Sequence, residues 1–157
     1  MGLNKLRRIL MAGLVVAVCA VPASARLKKS GDVVKVKAEA GKPDAEGNLT
    51  ITLTLTIDKP YHIYANPVGN DDLADAATVV TVEAKDKRQD ATIEYPAGEV
   101  EKDKTIGDYK IYEDKVTIKA KLRRAKDDTS PLTVKIKLQA CTSTGCLEPD
   151  TVKVTVP

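Results

Sequence analysis

The stretch "LQACTSTGCLEP" places Cys141 and Cys146 five residues apart with no charged residue between them. Two thiols so spaced can form a disulfide that staples the fold, a disulfide that exchanges with other thiols, or part of a metal site. As a staple the bond would do little. Closing a loop of about six residues removes on the order of 2 kcal/mol of unfolded-state entropy, against about 4–5 kcal/mol for a bridge across roughly 80 residues. As a reagent it is better placed. Thr142, Ser143, Thr144 and Gly145 are small and leave both sulfurs open, and Gly145 permits a tight turn. Exchange needs a thiolate to reach a sulfur, which a loop between strands allows. Leu147 and Pro149 crowd Cys146, so Cys141 is expected to be attacked more readily. The spacing is not Cys-x-x-Cys, and no helix N-terminus is evident to acidify a thiol. Residue types and spacing leave the structural and redox readings open side by side.

Other chemistries have less behind them. The two thiolates and His62, the single histidine, make three ligands, and outside the N-terminal leader there is no further Cys or His to complete a four-coordinate zinc site. No metal or cofactor is expected. There is no Gly-x-Ser-x-Gly elbow for hydrolysis. The many Lys, Glu and Asp residues read as the solvated faces of strands.

Those strands are visible as alternation. In "LTITLTLTI", residues 49–57, five aliphatic side chains alternate with four threonines, the two-residue period of a half-buried strand. Similar patterns begin at Val34, Val116, Leu132 and Val152, and shorter apolar pieces cover 78–84 and 91–95. Turn-forming runs such as "GKPDAEGN", "NPVGNDD", "YPAG" and "KDDTSP" separate them. "DDLADAA" fits one helical turn in a loop. The pattern predicts an all-β, immunoglobulin-like sandwich of about eight antiparallel strands. With no Phe or Trp and five Tyr, its core must be aliphatic.

Residues 1–25 read as a signal peptide: Lys5, Arg7 and Arg8, an apolar run over 9–21, then Ala23-Ser24-Ala25. Cys19 lies in the apolar run and is expected to leave with it. Val18 stands before it, where lipidation would want a small residue. Removal takes three of the 25 basic residues and no acidic one, leaving 22 against 22 in a single domain, 26–157. A neutral surface gives no electrostatic case for nucleic acid, and no later segment is apolar enough to span a membrane. Export, to a periplasm in a Gram-negative source, suits a disulfide.

Three stretches resemble the N-terminal, immunoglobulin-like periplasmic domain of the thiol:disulfide interchange protein DsbD. They are "DKPYHIYANP", "IEYPAGEVEKDKTIGDYKIYEDKVTI" and "LQACTSTGCLEPDTVKVTV", in that order, within a resemblance running from about Leu49 to Val156. The resemblance implies that Cys141 and Cys146 are a redox pair passing electrons between partner proteins, an electron-relay domain rather than a turnover enzyme. His62 and Tyr64 would line the cleft beside the sulfurs, and Tyr61 would point to the core. A cap loop would comprise Asp103, Thr105, Ile106 and Gly107. The family places aromatic rings in that loop, and here Ile106 is the only apolar candidate for a lid. No transmembrane carrier or thioredoxin-like domain follows in this chain, so donor and acceptor are expected to be separate thiol–disulfide proteins, thioredoxin-like or a membrane electron carrier. The alternative is a secreted binding or assembly module with a purely structural disulfide.

Overall fold

The computed structural model describes residues 27–125 and 128–157. The expected signal peptide, with Cys19, lies outside the described residues. Thirteen strands run in chain order among those described: β1 (Val34–Ala40), β2 (Asn48–Ile57), β3 (His62–Tyr64), β4 (Val79–Ala84), β5 (Lys87–Arg88), β6 (Ala91–Glu94), β7 (Glu99–Glu101), β8 (Tyr109–Tyr112), β9 (Lys115–Arg123), β10 (Leu132–Leu138), β11 (Ala140–Thr142), β12 (Gly145–Cys146) and β13 (Asp150–Val156). Two short 3₁₀ turns cover Ser30–Asp32 and Asp71–Ala76, the latter where one helical turn is predicted. The seven longer alternating pieces all form strands. The surplus over the expected eight consists of strands of two to four residues, too short to show a period.

Strands order as β1-β2-β9-β6 in one sheet and β13-β10-β4-β5 in a second, all antiparallel. Alternation decides what the sheets bury. Leu49, Ile51, Leu53, Leu55 and Ile57 of β2 are all buried, while the threonines between them are half-buried or exposed. They join Ile118 and Ala120 of β9, Val80 and Val82 of β4, and Val134 and Ile136 of β10 in one aliphatic cluster between the sheets. This is the immunoglobulin-like sandwich, with an aliphatic core. Tyr61 packs against it from the edge.

A third sheet, β12-β11-β3-β8-β7, caps one end of the sandwich. Its strands continue the long ones: β3 follows β2, β8 leads into β9, β11 follows β10, and β12 precedes β13. Both main sheets therefore feed it. Its own small cluster comprises Tyr64, Val68, Ala77, Ile111 and Cys141.

The N-terminal segment straps the base of the β11–β12 hairpin. Ser30 is fully buried; its hydroxyl donates to the Glu148 carbonyl (2.6 Å) and accepts from the Ala140 amide (2.9 Å). The Ser30 amide also donates to Glu148, so only Ala140 loses its sole partner if the hydroxyl goes. Ser30→Ala is expected to cost about 1–3 kcal/mol, the penalty for an orphaned buried donor. Urea denaturation of the disulfide-intact protein checks this.

Candidate redox site

Cys141 and Cys146 face each other across the β11–β12 hairpin as direct register partners and are bonded, with Cα atoms 3.9 Å apart. Thr142 pairs with Gly145, leaving Ser143 and Thr144 as the loop. The Thr142 hydroxyl braces the turn by donating to the Gly145 carbonyl (3.2 Å) and accepting from the Thr144 amide (3.3 Å). Gly145 does not take the positive φ that would make glycine necessary there. What it contributes is space: a Cβ at 145 would meet nothing within 4 Å.

The two sulfurs sit in different environments. Cys141 is 1% exposed, flanked by β12 on one side and β3 on the other, and packed with Tyr64 and Ile111. Cys146 is exposed because β12 is the edge of the sheet. This reverses the expectation that Cys141 is the more reachable sulfur. Leu147 does not crowd Cys146, because strand alternation sends its side chain to the main core. Pro149 is itself exposed.

His62 and Tyr64 lie on one face of β3, as their spacing predicts, with rings 6.0 Å apart and nearly perpendicular. The Tyr64 hydroxyl is 3.6 Å from Cys141 Sγ and 3.9 Å from Cys146 Sγ, close enough to donate to either. Burial raises the Tyr64 pKa, so the phenol keeps its proton. Its backbone is pinned in turn: the Tyr64 carbonyl accepts from the buried Thr78 amide (3.1 Å) and hydroxyl (2.7 Å). Burial lowers the His62 pKa, while the charges of Glu113 and Glu101 oppose that shift. His62 also lines a cleft of about 460 Å³ together with Glu101, Tyr109, Glu113 and the 142–144 turn.

Asp103, Thr105, Ile106 and Gly107 form a compact loop beside this sheet. The Asp103 carboxylate accepts from the amides of Thr105 (2.7 Å) and Ile106 (3.1 Å), and these bonds lower its pKa. The Gly107 amide closes the turn onto the Asp103 carbonyl at a φ of 87°, which favours glycine. Asn70, the cap of the Asp71–Ala76 turn, donates to the Ile106 carbonyl at 2.7 Å and anchors the loop from outside. The Ile106 side chain is 45% exposed and does not belong to the cluster around Cys141. A ring does pack there. Tyr109, two residues beyond Gly107, packs against Tyr64 with ring centroids 5.7 Å apart and planes tilted by 58°, and it packs against the cluster that holds Cys141. The sequence reading missed Tyr109. Its signal was the alternation of Tyr109 and Ile111 in "DYKIY", which puts both on one face of β8.

Among the described residues no three His, Cys, Asp or Glu side chains converge as metal ligands, and no helix is long and apolar enough to cross a membrane.

No curated protein sequence is significantly similar to the chain. Among solved structures, the reduced N-terminal domain of Neisseria meningitidis DsbD aligns over 76% of this chain and 82% of its own, at 15% identity and a TM-score of 0.50. The N-terminal periplasmic domain of ScsB from Proteus mirabilis aligns over 80% of this chain and 46% of its own, at 17% identity and a TM-score of 0.58. At these identities the likeness establishes the fold. The family model for the N-terminal domain of thiol:disulfide interchange protein DsbD matches residues 25–157 and so takes in the whole sandwich and its cysteine hairpin. The chain belongs to the DsbD N-terminal domain family.

Proposed function

We propose that this is an exported electron-relay domain that exchanges its Cys141–Cys146 disulfide with separate thiol–disulfide proteins, a thioredoxin-like protein or a membrane electron carrier. One observation carries the reading: the hairpin presents Cys146 on an open sheet edge and keeps Cys141 buried beneath Tyr64. A bond meant only to stiffen a loop has no need of such asymmetry.

The steps follow from it. A thiolate of a reduced partner attacks Cys146 Sγ, and the Cys141–Cys146 bond breaks. Cys141 leaves with the bonding electron pair, and the Tyr64 hydroxyl, protonated and within reach, donates to the new thiolate. The partner's second thiolate then attacks its own sulfur in the mixed disulfide and releases Cys146. Two electrons have moved to the chain, and the two cysteine thiolates take up from solvent the two protons that the partner's thiols gave up to it on forming thiolates. Run backwards against an oxidised partner, Cys146 attacks and Cys141 resolves. His62 and Tyr109 line the cleft beside the 142–144 turn.

The test is the reduction potential of the pair, read by thiol alkylation across glutathione ratios. A midpoint within the range spanned by thioredoxin and DsbA, about −270 to −120 mV, is expected for an exchanging bond. A bond that stays intact below about −300 mV would establish instead a binding or assembly module with a structural disulfide.

A further inference from the structure

Three register partners line up across neighbouring strands. Cys146 of β12 faces Cys141 of β11, and Cys141 faces His62 of β3. Directly opposed residues in an antiparallel sheet project from the same face, with Cβ atoms about 4.5–5.5 Å apart. Tyr64 lies on that face one pleat further along β3. Each sulfur therefore has the phenol within reach, and Cys141 has an imidazole as its immediate cross-strand neighbour.

The two polar groups suit opposite tasks. Tyr64 holds its proton near neutral pH and, although its oxygen can accept a hydrogen bond, it is too weak a base to deprotonate a thiol. A buried thiol that must attack needs the reverse, a group that takes its proton away, since the thiolate is the nucleophile. Resting on the exchange chemistry proposed above, we infer that His62 is the proton acceptor for Cys141 when Cys141 closes the disulfide. The reduced chain, with Cys146 as thiolate, attacks an oxidised partner; a mixed disulfide forms at Cys146 and one partner thiolate leaves. Cys141 Sγ–H then passes its proton to a neutral imidazole nitrogen of His62. The Cys141 thiolate attacks Cys146 Sγ, and the second partner sulfur departs with the electron pair. The imidazolium releases its proton to water in the cleft. In the opposite direction the imidazole first takes a proton from water in the cleft and then hands it to Cys141 as that sulfur leaves.

The surroundings keep the imidazole in the state this requires. Half-burial beside the Tyr64 ring of β3, in the cleft shared with Thr142 of β11 and Tyr109 and Ile111 of β8, favours the uncharged ring. Glu101 of β7 and Glu113, after β8, draw its proton affinity back up. The ring is thus neutral at pH 7 yet remains a usable base. The cleft it lines gives the proton a way out.

The test follows glutathionylated intermediate in the reduced, full-length protein mixed with oxidised glutathione, acid-quenched and weighed by mass spectrometry from pH 5 to 8.5. In the wild type the intermediate should decay at a rate that rises with pH through an imidazole-like pKa below 6.5 and then levels. His62→Phe and His62→Gln should both accumulate it, with resolution slowed on the order of 100-fold at pH 7. Their rates should climb instead through the thiol range, near or above pH 8.5. Two variants are used so that lost shape and lost base are separated: Gln keeps a polar side chain, Phe keeps a ring. Wild-type rates and profile in both variants would overturn the assignment. A wild-type protein that forms no mixed disulfide at all would overturn the exchange chemistry and the role of His62 together. That outcome is distinct, because the intermediate would be absent rather than long-lived.

Discussion

Cys141→Ser is expected to capture oxidised glutathione or an oxidised partner as a near-stoichiometric mixed disulfide, while Cys146→Ser captures almost none. The reason is position in the sheet. Cys146 lies on the two-residue edge strand β12, with one neighbouring strand and open space over Gly145. Cys141 lies between two strands, is 1% exposed, and sits in the cluster of Tyr64, Val68, Ala77 and Ile111. A serine at 141 leaves the exposed thiol free and removes the one group that could resolve the adduct. Non-reducing gels and intact mass of both variants read the result. Equal capture by the two would mean that the hairpin opens enough to present either sulfur, and the assignment of Cys146 as the attacked residue would fall.

The second expectation concerns what holds the molecule together. Leu53→Ala should destabilise the domain by about 2–5 kcal/mol, because Leu53 is fully buried in the middle of β2 and a cavity would remain between two paired sheets. Replacing both cysteines by alanine should cost no more than about 2 kcal/mol, the value for releasing so short a loop. The order of the two effects is the informative part. A sandwich stabilised by its aliphatic core tolerates an opened disulfide at every turnover, whereas one that relied on its disulfide could not. Urea midpoints of Leu53→Ala and of the double cysteine variant decide it. A larger loss for the cysteine variant would make the bond a staple.

Much of the fold can be read directly from the chain, because its main strands are long and half-buried. Five aliphatic residues at a spacing of two in β2, and similar runs in β1, β9, β10 and β13, admit little but strands with one face inward. The absence of Phe and Trp foretells a core made chiefly of Val, Ile, Leu and Ala, and the structure adds the buried Tyr112 to it. The cysteine pair, and the shared face of His62 and Tyr64, also follow from local spacing. The capping sheet is another matter. β3, β8, β11 and β12 hold two to four residues each, fewer than an alternating pattern needs to declare itself, and they become strands only by pairing with one another.

For that reason the sequence by itself determined the sandwich, its inward-facing residues and the two thiols, all of which depend on neighbours within a few residues along the chain. Only the tertiary structure decided which sulfur meets solvent, that Tyr109 rather than Ile106 packs at the site, that Ser30 braces the hairpin, and that His62 stands opposite Cys141. Each of these depends on register between segments as far apart as 118 residues. Local patterning states which face a side chain takes, and pairing across the sheet settles what stands beside it.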